Sequence, residues 1–364
     1  MYRGCTRFGS ETRFSVIRDT IADERIVYGI RTNNKLCSLC VNSVASVFNS
    51  IVASIPKSLY FSDLNPECMH SSQSRRTFLQ TGSVALSAAF LPSAFARKPR
   101  KFKHVGVQLY SVQKEMQKDP LGTLKQVAAI GYKEVEPAGY DKGKVYGLSP
   151  TDFKKACGDL GMTIPTSHVV FGKKGWNAAT NDISDEWKQV IDDAKTMGQK
   201  YIVSPWFDVD KDKLDDVYRG LDQMNVCGER CRAAGMKLGF HNHHQEFVTR
   251  HGDKLLYQIM LERLDPKLVT QQLDTCNMKV GNADPVEWLT RYPKHFELIH
   301  VKDKAKGKNE STTLGSGELD WKAIFAAIRK TNIEYYVVEI ESYDGITPLQ
   351  AIQINYEKMM GFQS

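Results

Sequence analysis

Ala233-Ala234-Gly235-Met236-Lys237-Leu238-Gly239-Phe240-His241-Asn242-His243 is the stretch whose reading decides the fold of this chain. A helical pattern that begins near Lys211 stops at Gly235, and an apolar run starts at the next residue. Glycine directly after a helix supplies the left-handed backbone that turns a chain sharply into a strand. The expected strand is Met236–His243, and a new helical pattern follows at about Lys254–Leu264. A helix feeding a strand that feeds another helix is the repeating part of a parallel sheet.

The same unit recurs on both sides. Upstream, strands are expected at His104–Tyr110, Lys133–Glu136, Thr163–Val169 and Lys200–Ser204. Their helices are expected at about Pro120–Ile130, Ser149–Leu160, Ser184–Met197 and Lys211–Ala234. Downstream, strands at Leu268–Asp274, Phe296–Lys302 and Tyr335–Glu341 alternate with helices at about Asp284–Arg291, Trp321–Lys330 and Pro348–Met359. Eight strand–helix units within residues 97–364 match the size of a single (β/α)8 TIM barrel. A doubly wound open sheet is the alternative. The residues after the first strand, Val107-Gln108-Leu109-Tyr110-Ser111, lack the glycine-rich turn of a dinucleotide site.

The first hundred residues read as an address. Ser74-Arg75-Arg76-Thr77-Phe78-Leu79 precedes an uncharged stretch that ends in Ala94-Phe95-Ala96. Paired arginines, a mildly apolar segment and a small-x-small ending form the three-part layout of an export signal. These residues resemble a twin-arginine signal. The expected division is therefore 1–68 as an unstructured or mis-assigned upstream extension, 69–96 as the signal, and 97–364 as the catalytic barrel. Periplasmic or otherwise exported location follows, with the export machinery as a partner and membrane contact only during export. A retained membrane anchor is the alternative.

Charge and cysteine narrow the function. The net charge is +7, of which residues 1–96 carry +4 (10 Lys/Arg against 6 Asp/Glu) and the rest +3 (39 against 36). So even a balance excludes a general nucleic-acid backbone binder. Cys37 and Cys40 form a CxxC without a second pair, a weak zinc signal. Cys227 and Cys231 lie four apart in a helical pattern, as neighbours on one face rather than a bridge. Whether the chain self-associates stays open.

Chemistry in a TIM barrel gathers where strands end. Those ends are unusually polar here: Glu134-Val135-Glu136, His168, Pro205-Trp206, His241-Asn242-His243-His244-Gln245-Glu246, Gln272-Leu273-Asp274, His300-Val301-Lys302-Asp303 and Glu339-Ile340-Glu341. With a side-chain period of two, His241 and His243 share a face, as do His300 and Lys302, and Glu339 and Glu341. Four consecutive strands thus deliver His or Glu, Asp, His and Glu to one rim. Mixed imidazole and carboxylate donors suit a divalent ion such as Mn²⁺, Co²⁺, Zn²⁺ or Mg²⁺. Asp274 is also placed to cap a following helix, and Asp303 and Glu341 to sit outside the ligand set. Trp206 and Tyr110 are placed to stack on a sugar face or to pack at the rim.

The sequence resembles the xylose-isomerase-like barrel superfamily of sugar isomerases and epimerases over about 104–360. The resemblance lies in Gly106-Val107-Gln108-Leu109-Tyr110-Ser111, Gly131-Tyr132-Lys133-Glu134-Val135-Glu136, His241-Asn242-His243 with Glu246-Phe247, Leu273-Asp274 and His300-Val301-Lys302-Asp303. It implies a divalent ion held by Glu, Asp, His and Glu, the last three matching Asp274, His300 and Glu339. At the first position this chain departs. His241 stands where Glu is expected, with Glu246 farther along the loop, and both are kept as candidate ligands. The family's epimerases move a proton beside a carbonyl through a metal-stabilised enediolate, using two carboxylates.

The function so implied is a metal-dependent sugar, keto-sugar or cyclitol isomerase or epimerase. Glu339, Glu246 and Lys302 are the catalytic candidates. Glu136, His168, Trp206 and His243 are the substrate-binding candidates, with Glu136, Glu246 or His243 able to act as second base. The alternatives are a 3-keto-glycoside lyase or hydrolase acting by β-elimination, and a non-catalytic sugar-binding barrel. Nucleic-acid repair, known in the endonuclease branch, fits poorly for want of a full ligand set.

Overall fold

The computed structural model describes residues 102–362, together with the backbone of an antiparallel pairing between Arg31–Thr32 and Lys35–Leu36. The chain divides into two units, Met1–Phe95 and Ala96–Ser364. The export signal expected at 69–96, the CxxC at Cys37 and Cys40, and nearly all of the expected extension 1–68 lie outside the described residues.

Seven parallel strands form one sheet: β1 (His104–Gln108), β2 (Glu134–Glu136), β3 (Tyr201–Ser204), β4 (Lys237–His241), β5 (Val269–Asp274), β6 (Phe296–Val301) and β7 (Tyr335–Val338). Their order is β2-β1-β7-β6-β5-β4-β3, each neighbouring pair parallel. The remaining gap, between β2 and β3, is filled by residues 163–169, and this is where the expected eighth strand differs. The segment makes only isolated bridges, Glu134 to Thr163 and His168 to Val203. Pro165 has no N–H to donate, so a continuous ladder cannot run through it. Its neighbours still bond to both edges. Val135 N donates to Thr163 O (3.0 Å), His168 N to Pro137 O (2.8 Å) and Val203 N to Ser167 O (2.8 Å). The ring closes as a TIM barrel.

Helices α1 (Pro120–Ile130), α2 (Pro150–Asp159), α3 (Asp185–Met197), α4 (Leu214–Ala233) and α5 (Leu256–Arg263) cover the outside in chain order. They continue as α6 (Thr275–Val280), α7 (Pro285–Arg291), α8 (Trp321–Ile328) and α9 (Pro348–Gly361). Sequence punctuation sets their limits. Ser149, Ser184, Asp284, Asp320 and Thr347 each accept a backbone N–H of the helix they precede, as side-chain caps do. Gly198 and Gly235 follow α3 and α4 at φ of +82° and +84°, a conformation that glycine adopts without strain. Cys227 and Cys231 are unbridged and buried on α4, where the Trp187 indole N–H donates to Cys227 Sγ (2.7 Å).

Three differences bear on the site. Helix α4 begins at Leu214 rather than Lys211, which leaves Lys211 in the loop above the barrel. Strand β4 ends at His241, so Asn242 and His243 lie past its ladder. The short helix α6, not expected from sequence, starts directly after Asp274. Among the described residues no helix is long and apolar enough to cross a membrane.

Candidate metal centre and active site

The strand ends converge as their period requires. Side-chain donor atoms of His241, Asp274, His300 and Glu339 all lie within 4.8 Å of one another, and all four residues are buried. They come from the ends of β4, β5, β6 and β7, four successive neighbours in the sheet. Asp274 Oδ2 lies 3.9 Å from His241 Nε2, 4.0 Å from His300 Nδ1 and 3.6 Å from Lys302 Nζ. It makes no hydrogen bond. A fully buried carboxylate oxygen with no donor is costly unless a cation completes it. The other oxygen is engaged: Asp274 Oδ1 accepts from Asn277 N at 2.6 Å and caps α6. Asp274 thus caps α6 through one oxygen and keeps the other within the quartet.

Electrostatics follow from this crowding. Burial pushes the Asp274 carboxyl up to about 6. Burial opposes charge on His300, but Glu339 and Glu136 outweigh it and raise the imidazole to about 10. Burial also opposes charge on Lys302. Its neighbours Glu339, Asp274 and Glu341 nonetheless hold the ammonium well above its ordinary value. Glu339, which burial would raise, is pulled well below the carboxylate range by Lys302 and His300. His241 is held well below the imidazole range, first by burial and then by His300. Burial and the Lys302 charge bring His243 down to about 4, a neutral imidazole.

Beneath the quartet lies a polar layer. Glu136 is 1% exposed, and its two oxygens face Gln108 Nε2 (2.8 Å), His300 Nε2 (2.6 Å), His168 Nε2 (3.1 Å), Thr166 Oγ1 (2.8 Å) and Gln272 Nε2 (2.8 Å). Gln272 Oε1 in turn meets His168 Nε2 (2.7 Å) and His241 Nδ1 (3.0 Å). A carboxylate behind an imidazole fixes which ring nitrogen carries the proton and turns the other towards the ion. His300 has a carboxylate at each ring nitrogen, Glu136 at Nε2 and Glu339 Oε2 at Nδ1 (2.9 Å).

This corrects two expectations. Glu136, expected to touch substrate or act as a base, is saturated from within the barrel and orients imidazoles instead. Glu246, expected as a ligand or base, stands outside the quartet. Its Oε2 accepts from His243 N (2.6 Å) in a capping box over the 3-10 turn His244–Phe247, and its Oε1 faces Lys211 Nζ (3.3 Å). The His243 backbone and the Lys211 ammonium thus hold this carboxylate.

The remaining candidates share one cavity of about 560 Å³, whose wall includes His168, His241, His243, Lys302, Glu339 and Glu341. Lys302 Nζ contacts Glu339 Oε2 (3.1 Å) and Glu341 Oε2 (2.5 Å). Trp206 and Tyr110 stand at the mouth, 41% and 42% exposed. The Trp206 ring meets His243 edge-on at 5.3 Å, and Lys211 Nζ lies 4.3 Å from its centre. Asp303 is withdrawn: it accepts from Gly315 N (2.8 Å), Gly317 N (3.2 Å) and Trp321 Nε1 (3.0 Å), pinning the loop after β6.

Gln108, Thr166, Gln272 and Lys211 were not singled out by sequence. A signal existed for two of them. Gln108 ends an apolar strand, and Gln272 sits two residues before Asp274 on the same face, where a packed barrel normally carries apolar side chains.

Known proteins agree with this architecture. The family model for the xylose isomerase-like TIM barrel matches residues 124–359, and the chain belongs to that family. A solved sugar phosphate isomerase/epimerase from Parabacteroides distasonis superposes with a TM-score of 0.62 at 27% identity, covering 72% of this chain and 99% of its own. An inosose dehydratase of Geobacillus kaustophilus is 22% identical over 270 residues, 65% of this chain and 83% of that protein. An inosose dehydratase of Clostridium perfringens is 28% identical over 148 residues, 35% of this chain and 48% of that relative's length.

Proposed function

We propose that this protein is a divalent-metal-dependent enzyme that moves a proton at the carbon beside a carbonyl of a keto-sugar or keto-cyclitol, and that the reaction ends in β-elimination. The observation that carries the reading is Asp274 Oδ2, buried and without a hydrogen bond inside a quartet of His241, Asp274, His300 and Glu339. Two imidazoles and two carboxylates at this spacing fit a first-row divalent ion or Mg²⁺. Such an ion, held by these four residues, supplies stabilisation for negative charge developing on the carbonyl oxygen.

The chain's own groups do the rest. Glu339 lines the cavity, with Oε2 fixed by His300 and Lys302, and its other oxygen is the proton acceptor. Lys302 stays cationic and places its ammonium beside that acceptor, where it binds a substrate oxygen or gives a proton to a departing one. His243, kept neutral, offers a hydrogen bond from the loop after β4 without adding charge.

Elimination is favoured over epimerisation by the donor set. Inverting a carbon requires proton-moving groups on both faces. His241 stands where the second carboxylate would be, and Glu246 is bound into its cap. The relatives named inosose dehydratase support the same outcome. Isomerisation is the second reading, favoured by the likeness to the Parabacteroides structure.

The test is exchange in D2O. With Mn²⁺ or Co²⁺ and a panel of keto-sugars and inososes, deuterium should enter beside the carbonyl, followed by an enone absorbance. Chelator should stop both, and Glu339→Gln should abolish exchange. Exchange that persists in Glu339→Gln, or that ignores chelator, would overturn the assignment.

A further inference from the structure

We infer that Lys211 is a positioning residue that staples the loop after β3 to the loop after β4 and so holds Trp206 and His243 as one fixed wall of the cavity; this rests on the reading above for its effect on turnover, but not for its effect on the Trp206 ring.

Lys211 lies in the segment between β3 and α4, with its side chain 15% exposed. Its Nζ donates to Gln245 Oε1 (2.6 Å), faces Glu246 Oε1 (3.3 Å) and stands 4.3 Å from the centre of the Trp206 ring. An ammonium has three N–H groups and no acceptor. It meets three acceptors here: an amide oxygen, a carboxylate oxygen and an aromatic face. The shortest of these contacts goes to the neutral Gln245, so the arrangement is more than an ion pair with Glu246. The main chain adds another link, because His251 Nε2 donates to the Lys211 carbonyl oxygen (2.9 Å).

Each tie ends on the cavity wall or on a group that holds it. Trp206 and His243 both line the cavity, and their rings meet edge-on at 5.3 Å. Glu246, bound to the ammonium on one side, accepts from His243 N (2.6 Å) on the other. The Trp206 backbone is fixed by its own loop, since its carbonyl oxygen accepts from Ser204 Oγ (2.9 Å). What remains to be held is the exposed ring, and Lys211 covers one of its faces. Among the described residues this is the cation–ring contact whose ring belongs to the cavity wall.

Lys211 is not itself part of that wall, so it acts through Trp206 and His243 rather than on a ligand. An exposed indole on a loop above a barrel samples several rotamers unless a neighbour holds it. A wall that is ordered before the ligand arrives loses less side-chain freedom on binding. Binding is therefore the step that Lys211 favours, while the proton transfer at Glu339 is left alone.

The ring and the reaction are tested apart. Nitrogen-15 relaxation of the Trp206 indole N–H, assigned by its loss in Trp206→Phe, reads the ring with no ligand present. Its order parameter should be that of a rigid site in the parent, about 0.85, and fall below about 0.6 in Lys211→Met. Gln245→Ala, which takes an acceptor from the ammonium on the other loop, should lower it too. Lys211→Arg, whose guanidinium keeps the charge and stacks on rings, should restore most of it. With a keto-sugar or inosose that exchanges deuterium, Lys211→Met should raise KM about fivefold and leave kcat within about twofold, the pattern of lost uniform binding. In a Trp206→Ala background the same change should move KM by less than about twofold, because residues that act through one another are not additive.

An order parameter unchanged in both Lys211→Met and Gln245→Ala would overturn the inference. So would a fall in kcat at constant KM, or an undiminished effect of Lys211→Met in the Trp206→Ala background. A loosened ring with no exchange for any keto-sugar or inosose sinks the proton-transfer reading and supports the staple. Exchange that stops with chelator, together with an unmoved ring and an unchanged KM, sinks the staple alone.

Discussion

Replacing Asp274 with Asn should make the metal-free protein more stable at pH 8 and the metal-treated protein unresponsive. Asp274 is fully buried, Oδ1 caps α6, and Oδ2 faces the cluster without a hydrogen bond. Burial raises its carboxyl to about 6. An unfolded Asp titrates near 3.9, so the gap of about two units corresponds to about 3 kcal/mol. The sign follows from which state prefers the proton. The folded pKa exceeds the unfolded one, so the fold is unpenalised below about pH 4 and loses stability as pH climbs through about 6. Above that the full cost of about 3 kcal/mol is present.

Asn keeps the cap, because its side-chain oxygen also accepts from Asn277 N, and it removes the charge. Its amide nitrogen, now beside Lys302, lacks a partner and returns about 1 kcal/mol of that gain. A net stabilisation of about 2 kcal/mol remains, or roughly 4–8 °C in Tm for a domain of this size. The assay is thermal unfolding in chelator at pH 5 and pH 8, repeated with saturating Mn²⁺. The Asn variant should exceed the parent at pH 8, lose most of that advantage by pH 5, and show none of the parent's stabilisation by the ion. A variant less stable than the parent at pH 8 in chelator would refute the burial argument. An equal rise with Mn²⁺ in both would refute the ligand assignment.

Glu246→Gln separates a cap from a ligand. Burial raises this carboxyl, so its ionised form weakens the fold as pH rises, and Gln should match or exceed the parent's stability at pH 8. Elemental analysis should find metal content unchanged, and a loss of the ion would return Glu246 to the ligand set. Gly228→Ala should cost about 1–3 kcal/mol in denaturant unfolding by overpacking, because a Cβ there would sit 2.9 Å from the Leu268 carbonyl oxygen. Its kcat/KM should hold, since Leu268 precedes β5 at the end opposite the site. Replacing Arg75 and Arg76 together with Lys should trap the protein inside the cell by fractionation; export at the parental level would remove the twin-arginine reading.

The barrel was legible in the sequence because its punctuation is local. Gly235 before Lys237, Ser184 before Asp185 and Asp284 before Pro285 each mark a boundary through backbone chemistry within a few residues. Thr163–Val169 was misread for the same reason. Its β-branched and apolar residues suit a strand, while Pro165 has no N–H to give to a neighbouring strand, and the bridges on either side of it, Thr163 to Glu134 and His168 to Val203, stay isolated. The convergence of the four strand ends was legible because a period of two needs no knowledge of neighbours, while the choice of Asp274, His300 and Glu339 within it came from the family resemblance. Glu136 and Glu246 were not. Whether a carboxylate is free to work depends on what else claims its oxygens, and those claimants are Gln108, Thr166, Gln272, His168 and His300 for one, and the His243 backbone N–H with Lys211 for the other. Residue type shows what a side chain can do. Only the count of its remaining lone pairs shows what it is free to do, and by that count Asp274 Oδ2 is the buried carboxylate oxygen of the quartet that no hydrogen bond claims.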